Sequence, residues 1–249
     1  MRYVHEKIPC RAAVPVVLFL LVQLTIWSTA GFCDSNTIGA PGLGDPLFPG
    51  AGNGGIDVQN YILDISWDDK TGVIEATALL AIKATQELTA FNLDFHELAI
   101  VSLTVNDQPA QFSRADNELT IVLPQLVHNG ETFKVSVTYT GKPEPIPGSV
   151  TSGWNTTPSG VHTLSEPIAA KNWFPNNNHP SDKATYTFHI TVPKPYTVAA
   201  NGIPGKTVDN GTTQRFTFVA DDPMATYLAT VNIDQFVVEK MKGPKGIPI

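Results

Sequence analysis

From Asp57 onward, apolar side chains return at every second position in one short run after another. A period of two marks a half-buried strand, whereas a helix would repeat near 3.6. Tyr61, Leu63, Ile65 and Trp67 share one face, while Asn60, Asp64 and Ser66 take the other with Ile62. Asp68-Asp69-Lys70-Thr71-Gly72 has the composition of a turn, and beyond it Ile74, Ala76, Ala78, Leu80 and Ile82 oppose Glu75, Thr77 and Lys83. The two runs therefore predict a hairpin. The same alternation continues through Phe91, Leu93 and Phe95, through Leu103 and Val105 before Asn106-Asp107, and through Leu119, Ile121 and Leu123 before Pro124. Asn129-Gly130, the strongest short-range turn signal in the chain, leads into Phe133, Val135, Val137 and Tyr139. Strand signals resume at Tyr186–Val192, at Tyr196 and Val198, at Phe216 and Phe218, at Tyr227–Val231 and at Phe236–Val238. No stretch carries a convincing helical period. Many short strands with turns between them predict an all-β fold, a sandwich of packed, mostly antiparallel sheets.

The regions without alternation divide the chain. Arg2, Lys7 and Arg11 precede the weakly polar run Val14–Trp27, which is too short for a comfortable membrane span, and Ser28-Thr29-Ala30 supplies small residues for cleavage. Residues 1–30 read as a secretory signal peptide, so the mature protein is expected outside the cytoplasm, secreted or periplasmic, with no membrane contact after cleavage; a retained anchor is the competing reading. Residues 31–55 are a linker rich in Gly and Pro, residues 56–240 the β domain, and residues 241–249 the start of a further connection. Cys10 leaves with the leader and Cys33 stands alone, which excludes an intrachain disulfide in the mature chain. Residues 141–160 form a long Pro/Gly/Ser/Thr loop, and such loops are often functional. The net charge of −7 argues against a nucleic-acid partner, whose phosphates call for a basic surface.

The chemistry-bearing residues do not add up to a catalytic centre. A zinc hydrolase needs H-E-x-x-H, because histidines four apart on a helix reach one metal while the glutamate activates its water. His5-Glu6 has Pro9 where the second histidine belongs, and His96-Glu97 has Ile100 there. His128, His162, His179 and His189 have no ligand-like spacing, and there is no G-x-S-x-G elbow. Asn155-Thr156-Thr157 and Asn210-Gly211-Thr212 match the glycosylation sequon and fall in expected loops. Glu166 precedes Pro167 and is therefore expected to be extended, at a strand end. On these grounds it is either a solvated carboxylate or a carboxylate presented to a cation.

Several motifs in order resemble the N-terminal domain of the aminopeptidase-N-type zinc metallopeptidases. They are Asp57–Tyr61, Asn92-Leu93-Asp94-Phe95, Ser165-Glu166-Pro167, Trp173-Phe174-Pro175, His179–Thr185, Tyr196-Thr197-Val198 with Asn201-Gly202, and Pro223–Leu228. The resemblance implies a saddle-shaped β structure beside a thermolysin-like catalytic domain. It also implies that Glu166 binds the free α-amino group of a peptide, a cation at neutral pH. Trp173, Phe174, Pro175, Asn178, Pro180 and Asp182 would hold that glutamate in place. The family's wedge usually reads Phe-Pro-Cys-x-Asp, and here Asn176 and Asn178 replace the Cys and the Asp. The family's G-x-M-E-N loop and H-E-x-x-H helix are not in this chain, so no cofactor is expected here and zinc is expected only in a separate catalytic domain. That domain and a peptide N-terminus are the implied partners. The alternative is a stand-alone secreted binding module that has lost catalysis.

Overall fold

The computed structural model describes residues 37–146, 153–239 and 241–246. The expected signal peptide over residues 1–30, with Cys10, and Cys33 lie outside the described residues. The first half contains β1 (Ile56–Trp67), β2 (Ile74–Ala84), β3 (Leu88–Asp94), β4 (Ala99–Val105), β5 (Gln108–Pro109), β6 (Gln111–Ala115), β7 (Glu118–Val127) and β8 (Thr132–Gly141). The second contains β9 (Gly153–Thr157), β10 (Gly160–Leu164), β11 (Lys183–Pro193), β12 (Thr197–Ala200), β13 (Ile203–Pro204), β14 (Val208–Asp209), β15 (Thr213–Ala225) and β16 (Val231–Asp234).

These strands form three sheets. The largest runs β13-β15-β11-β1-β2-β8-β4-β5, with β14 also paired to β15; the second runs β12-β16-β10-β9 and the third β3-β7-β6. Only β1 with β11 is parallel among the named pairs, in register Tyr61 with Tyr186 and Leu63 with Phe188. The alternation does what its period requires. Tyr61, Leu63, Ile65, Leu80, Ile82, Val135, Val137, Phe188 and Ile190 point to one side of the large sheet and are fully buried. Against them pack Phe91, Leu119 and Ile121 of the three-stranded sheet, Phe95 just past the end of β3, and Val231 and Ile233 of the four-stranded sheet, in a single core. Phe91 meets Phe133 edge-on, and Phe95 meets Tyr139 in the same way. The fold is an all-β sandwich.

Some expectations fail for identifiable reasons. The end of the supposed loop 141–160 is strand β9, which pairs with β10 and places Asn155 in a ladder opposite His162. Turn-forming residues on both sides hide so short a strand. Tyr227–Val231 is a strand only from Val231, because Thr226–Leu228 winds into a 3-10 turn closed by the Ala229 N–H on the Thr226 carbonyl. Phe236–Val238 has no ladder at all, and Val237 is 88% exposed: an apolar run becomes a strand only where a partner edge is there to pair with it.

The segment with a linker's composition is packed from Thr37 onward. Gly39 donates to the Ala90 carbonyl, and the Asn92 side chain donates back to the Gly39 carbonyl. A Cβ on Gly39 would lie 2.6 Å from the Gly54 carbonyl oxygen, so only glycine allows this approach. The arm covers the second face of β3, and Leu88, Ala90–Asp94 are buried on both sides as a result.

Candidate functional site

The segment from Ser165 to Asp182 leaves the four-stranded sheet at β10 and enters the large sheet at β11. It starts with a turn closed by the Ala169 N–H on the Ser165 carbonyl at 2.8 Å, followed by a 3-10 turn over Ala170–Asn172. Glu166 lies in that first turn, two residues past the end of β10, with its side chain on the exposed surface. Sequence reasoning placed it at a strand end, and the turn is the refinement.

Both flanks of the Glu166 turn are tied to buried groups. The Trp173 indole N–H donates to Ser165 Oγ at 3.3 Å, and Asn178 Nδ2 donates to the Ile168 carbonyl at 2.5 Å. Asn178 Oδ1 in turn accepts from Thr226 Oγ1 at 3.1 Å. Asn172 Oδ1 accepts from the Trp154 N–H at 2.7 Å while its Nδ2 donates to the Glu144 carbonyl at 2.5 Å. Trp173 itself is wholly buried, its ring 4.4 Å from that of Phe174 and 5.9 Å from that of Trp154. Phe174 continues the file edge-on to Tyr61, and Tyr61 stacks on Tyr186. The wedge residues Trp173, Phe174, Pro175, Asn178 and Asp182 are thus gathered in the interior behind the Glu166 turn. Pro180 sits apart, exposed in the bend between His179 and Asp182.

Beneath the turn lies a polar lattice that sequence reasoning largely missed. Asp94, fully buried, accepts on Oδ2 from Asn53 Nδ2 and from the Asn178 N–H, both at 3.0 Å. Its Oδ1 faces Lys171 Nζ at 3.9 Å, and the Lys171 side chain is buried as well. Asn177 Oδ1 accepts from the Asn53 N–H at 2.6 Å, and its own N–H donates to the Tyr61 hydroxyl at 3.1 Å. Asp182 Oδ2 accepts from Asn177 Nδ2 at 2.5 Å and from the Val58 N–H at 3.2 Å. Burial pushes the Asp94 carboxyl up to about 6, against the pull of the Asn178 N–H and of Lys171. Burial likewise pushes Asp182 up to about 7, with Asp57 adding to it and the Val58 N–H and Asn177 amide opposing. Asp94 was visible within the Asn92–Phe95 motif, but Asn53 lies in a Gly-rich arm that carried no signal.

The histidines stay scattered: His128 pairs with Glu87, His179 with Asp45 and Ser181, and His189 with Thr217. Among the described residues no three His, Cys, Asp or Glu side chains come together as a metal would require. These residues do not fit a catalytic zinc.

The peptidase M1 N-terminal domain model matches residues 58–228, which takes in every strand from β1 to β15 apart from the first two residues of β1, and the whole Glu166 segment. The chain belongs to this family. Over 91 residues, 36% of the chain, it is 40% identical to human glutamyl aminopeptidase, and it is 37% identical over 86 residues to aminopeptidase A of Gloydius brevicauda. It matches an M1 zinc metallopeptidase of Deinococcus radiodurans with a TM-score of 0.75 and 26% identity, covering 83% of this chain. A point variant of that enzyme bound to a Tyr-Ser-Ala substrate matches at 28% identity, also with a TM-score of 0.75. The chain spans 9% of each of the two curated relatives and 49% of the first Deinococcus chain.

Proposed function

We propose that this M1 N-terminal domain anchors the free amino terminus of a peptide through Glu166, beside a zinc-bearing catalytic domain of the same family. The observation that carries this reading is the Glu166 turn itself: an exposed carboxylate on a backbone held from both flanks by buried groups. A fixed carboxylate recognises an α-ammonium group by a charge-assisted hydrogen bond, and the fixed backbone lowers the ordering cost of making it. Such a contact counts from the end of the chain and so selects exopeptidase substrates. The metal, where a catalytic domain holds one, supplies activated water at the scissile carbonyl.

Exposed apolar side chains along the four-stranded sheet and just beyond it suit a protein partner. Leu164, at the end of β10, is 53% exposed, and Phe236 lines a 550 Å³ depression with Val161 and His162. An N-terminal leader would carry the domain to the secreted or periplasmic space.

The test is a titration of the purified chain with a short peptide bearing a free α-amine and with its N-acetylated twin, followed by NMR. The free-amine peptide is expected to bind at least about tenfold tighter, as one charge-assisted bond implies. Glu166→Gln is expected to abolish that preference. Equal binding of the two peptides, or a preference unchanged in the variant, defeats the anchor reading. Stoichiometric zinc together with leucyl-arylamide hydrolysis by this chain alone would overturn the division of labour.

A further inference from the structure

Glu118 of β7 stands directly across from Asp94 of β3 in their antiparallel pair, so both carboxyls project from the same face of the three-stranded sheet. Lys171 reaches that face from the Glu166 segment and is only 6% exposed. A buried ammonium needs close acceptors. Yet its one ion pair among the described residues is to Asp94 Oδ1 at 3.9 Å, beyond hydrogen-bond reach. Asp94 Oδ1 and Glu118 Oε2 are both buried without a hydrogen-bond partner among the described residues. Donors and acceptors thus face one space with no hydrogen bond between them. Lys171 and Glu118 both line a depression of about 430 Å³, walled by Leu47, Phe48 and Pro49 of the arm and by Ile168. That volume lies in the range of small-ligand sites. The arm wall is a built turn: Asp45 Oδ1 accepts from the Leu47 and Phe48 N–H groups at 2.7 and 2.9 Å, and the Ala51 N–H closes on the Phe48 carbonyl at 2.9 Å. Leu47 is 80% and Phe48 38% exposed, so apolar surface stands ready beside the polar floor.

We propose that this depression binds the backbone of a peptide, with Lys171 donating to an amide carbonyl, Glu118 accepting from an amide N–H, and an apolar side chain of the peptide lying against Leu47, Phe48 and Ile168. Charge selects among the possible ligands. A carboxylate would satisfy Lys171 but stand beside two carboxyls already there. A cation would satisfy Glu118, leave the Lys171 donors unused and face their charge. A neutral amide brings an acceptor and a donor together and adds no charge, so it satisfies both groups at once. The apolar wall then holds the side chain next to the amide and keeps water from the two bonds. The site does not rest on the reading of Glu166 as an anchor, because it grips the interior of a peptide and that anchor grips the terminal amine.

The test titrates the whole chain at about pH 8 with N-acetyl-leucine N-methylamide, a neutral peptide unit with no free amine, and follows backbone amide shifts by NMR. At that pH Glu118, which burial raises to about 7, is an acceptor. Saturable shifts are expected at Phe48, Glu118 and Lys171, with a Kd of about 1–10 mM for so small a ligand. N-acetyl-leucine, with a carboxylate in place of the methylamide, is expected to bind at least about tenfold more weakly. Lys171→Met and Glu118→Met should each weaken binding of the diamide by about tenfold or more. Because Lys171 is buried, Phe48→Ala tests the site from its exposed wall with the interior untouched, and should weaken binding about fivefold. No saturable shift at these amides up to about 50 mM ligand overturns the site. So does equal affinity for the carboxylate, or an affinity unchanged in both Glu118→Met and Phe48→Ala.

Discussion

Restoring the aspartate that the family usually carries at position 178 should damage this protein. Asn178 uses its amide in both senses: Oδ1 accepts from Thr226, and Nδ2 donates to the Ile168 carbonyl at 2.5 Å. An aspartate keeps the first bond and turns the second into a carboxylate oxygen facing a carbonyl oxygen. Losing the bond costs about 1 kcal/mol, and leaving a buried carbonyl and a charge without partners costs roughly 1–3 kcal/mol more. The new charge would also lie close to Asp94, which accepts from the N–H of the same residue. A penalty of about 3 kcal/mol at pH 8 is the sum expected for Asn178→Asp. The pH dependence provides the sign. Burial and Asp94 hold the new carboxyl above its unfolded value, so the folded state binds the extra proton. The penalty is absent below about pH 4, where the acid can donate as the amide did, and grows as pH rises toward the folded pKa. Urea unfolding followed by tryptophan fluorescence from pH 4 to 8 measures it, with Trp154 and Trp173 as buried reporters. A variant equal to or more stable than the wild type at pH 8 would refute the orientation of this amide and the argument built on it.

Trp173→Ala removes a fully buried ring and the donor to Ser165 together, and should cost about 4 kcal/mol in urea unfolding; a loss under about 1 kcal/mol would show that the wedge does not support the fold. Gly160→Ala places a Cβ 1.9 Å from the Ile233 carbonyl oxygen and should force β10 away from β16. The expected readout is loss of amide protection in β16 with the β1–β2 ladder unaffected, and uniform protection in both would contradict it.

How much of this was legible beforehand differs from element to element. The inner faces of β1, β2, β8 and β11 could be read residue by residue, because a strand buried on one side must alternate. Strand β3 could be recognised only by its Phe91, Leu93 and Phe95, since the arm covers its other face and nothing in the arm's glycines announces a cover. The site divides in the same way. The resemblance pointed to Glu166 and the Trp173–Asp182 wedge, and the residues alone left the glutamate undecided. Asn53, Lys171 and Asn177 are drawn in by contacts that bridge more than forty positions in sequence, or more than a hundred.

The sequence by itself therefore determined which side chains share a face, where the chain turns, and that no helix competes. Those are local properties, set by the geometry of one strand and the backbone preferences of a few turn residues. Tertiary structure alone decided what covers each face, that β1 lies parallel to β11, and that two carboxyls end buried in a polar lattice beneath the Glu166 turn. Burial is a property of neighbours distant in the chain, and it is burial that raises Asp94 to about 6 and Asp182 to about 7.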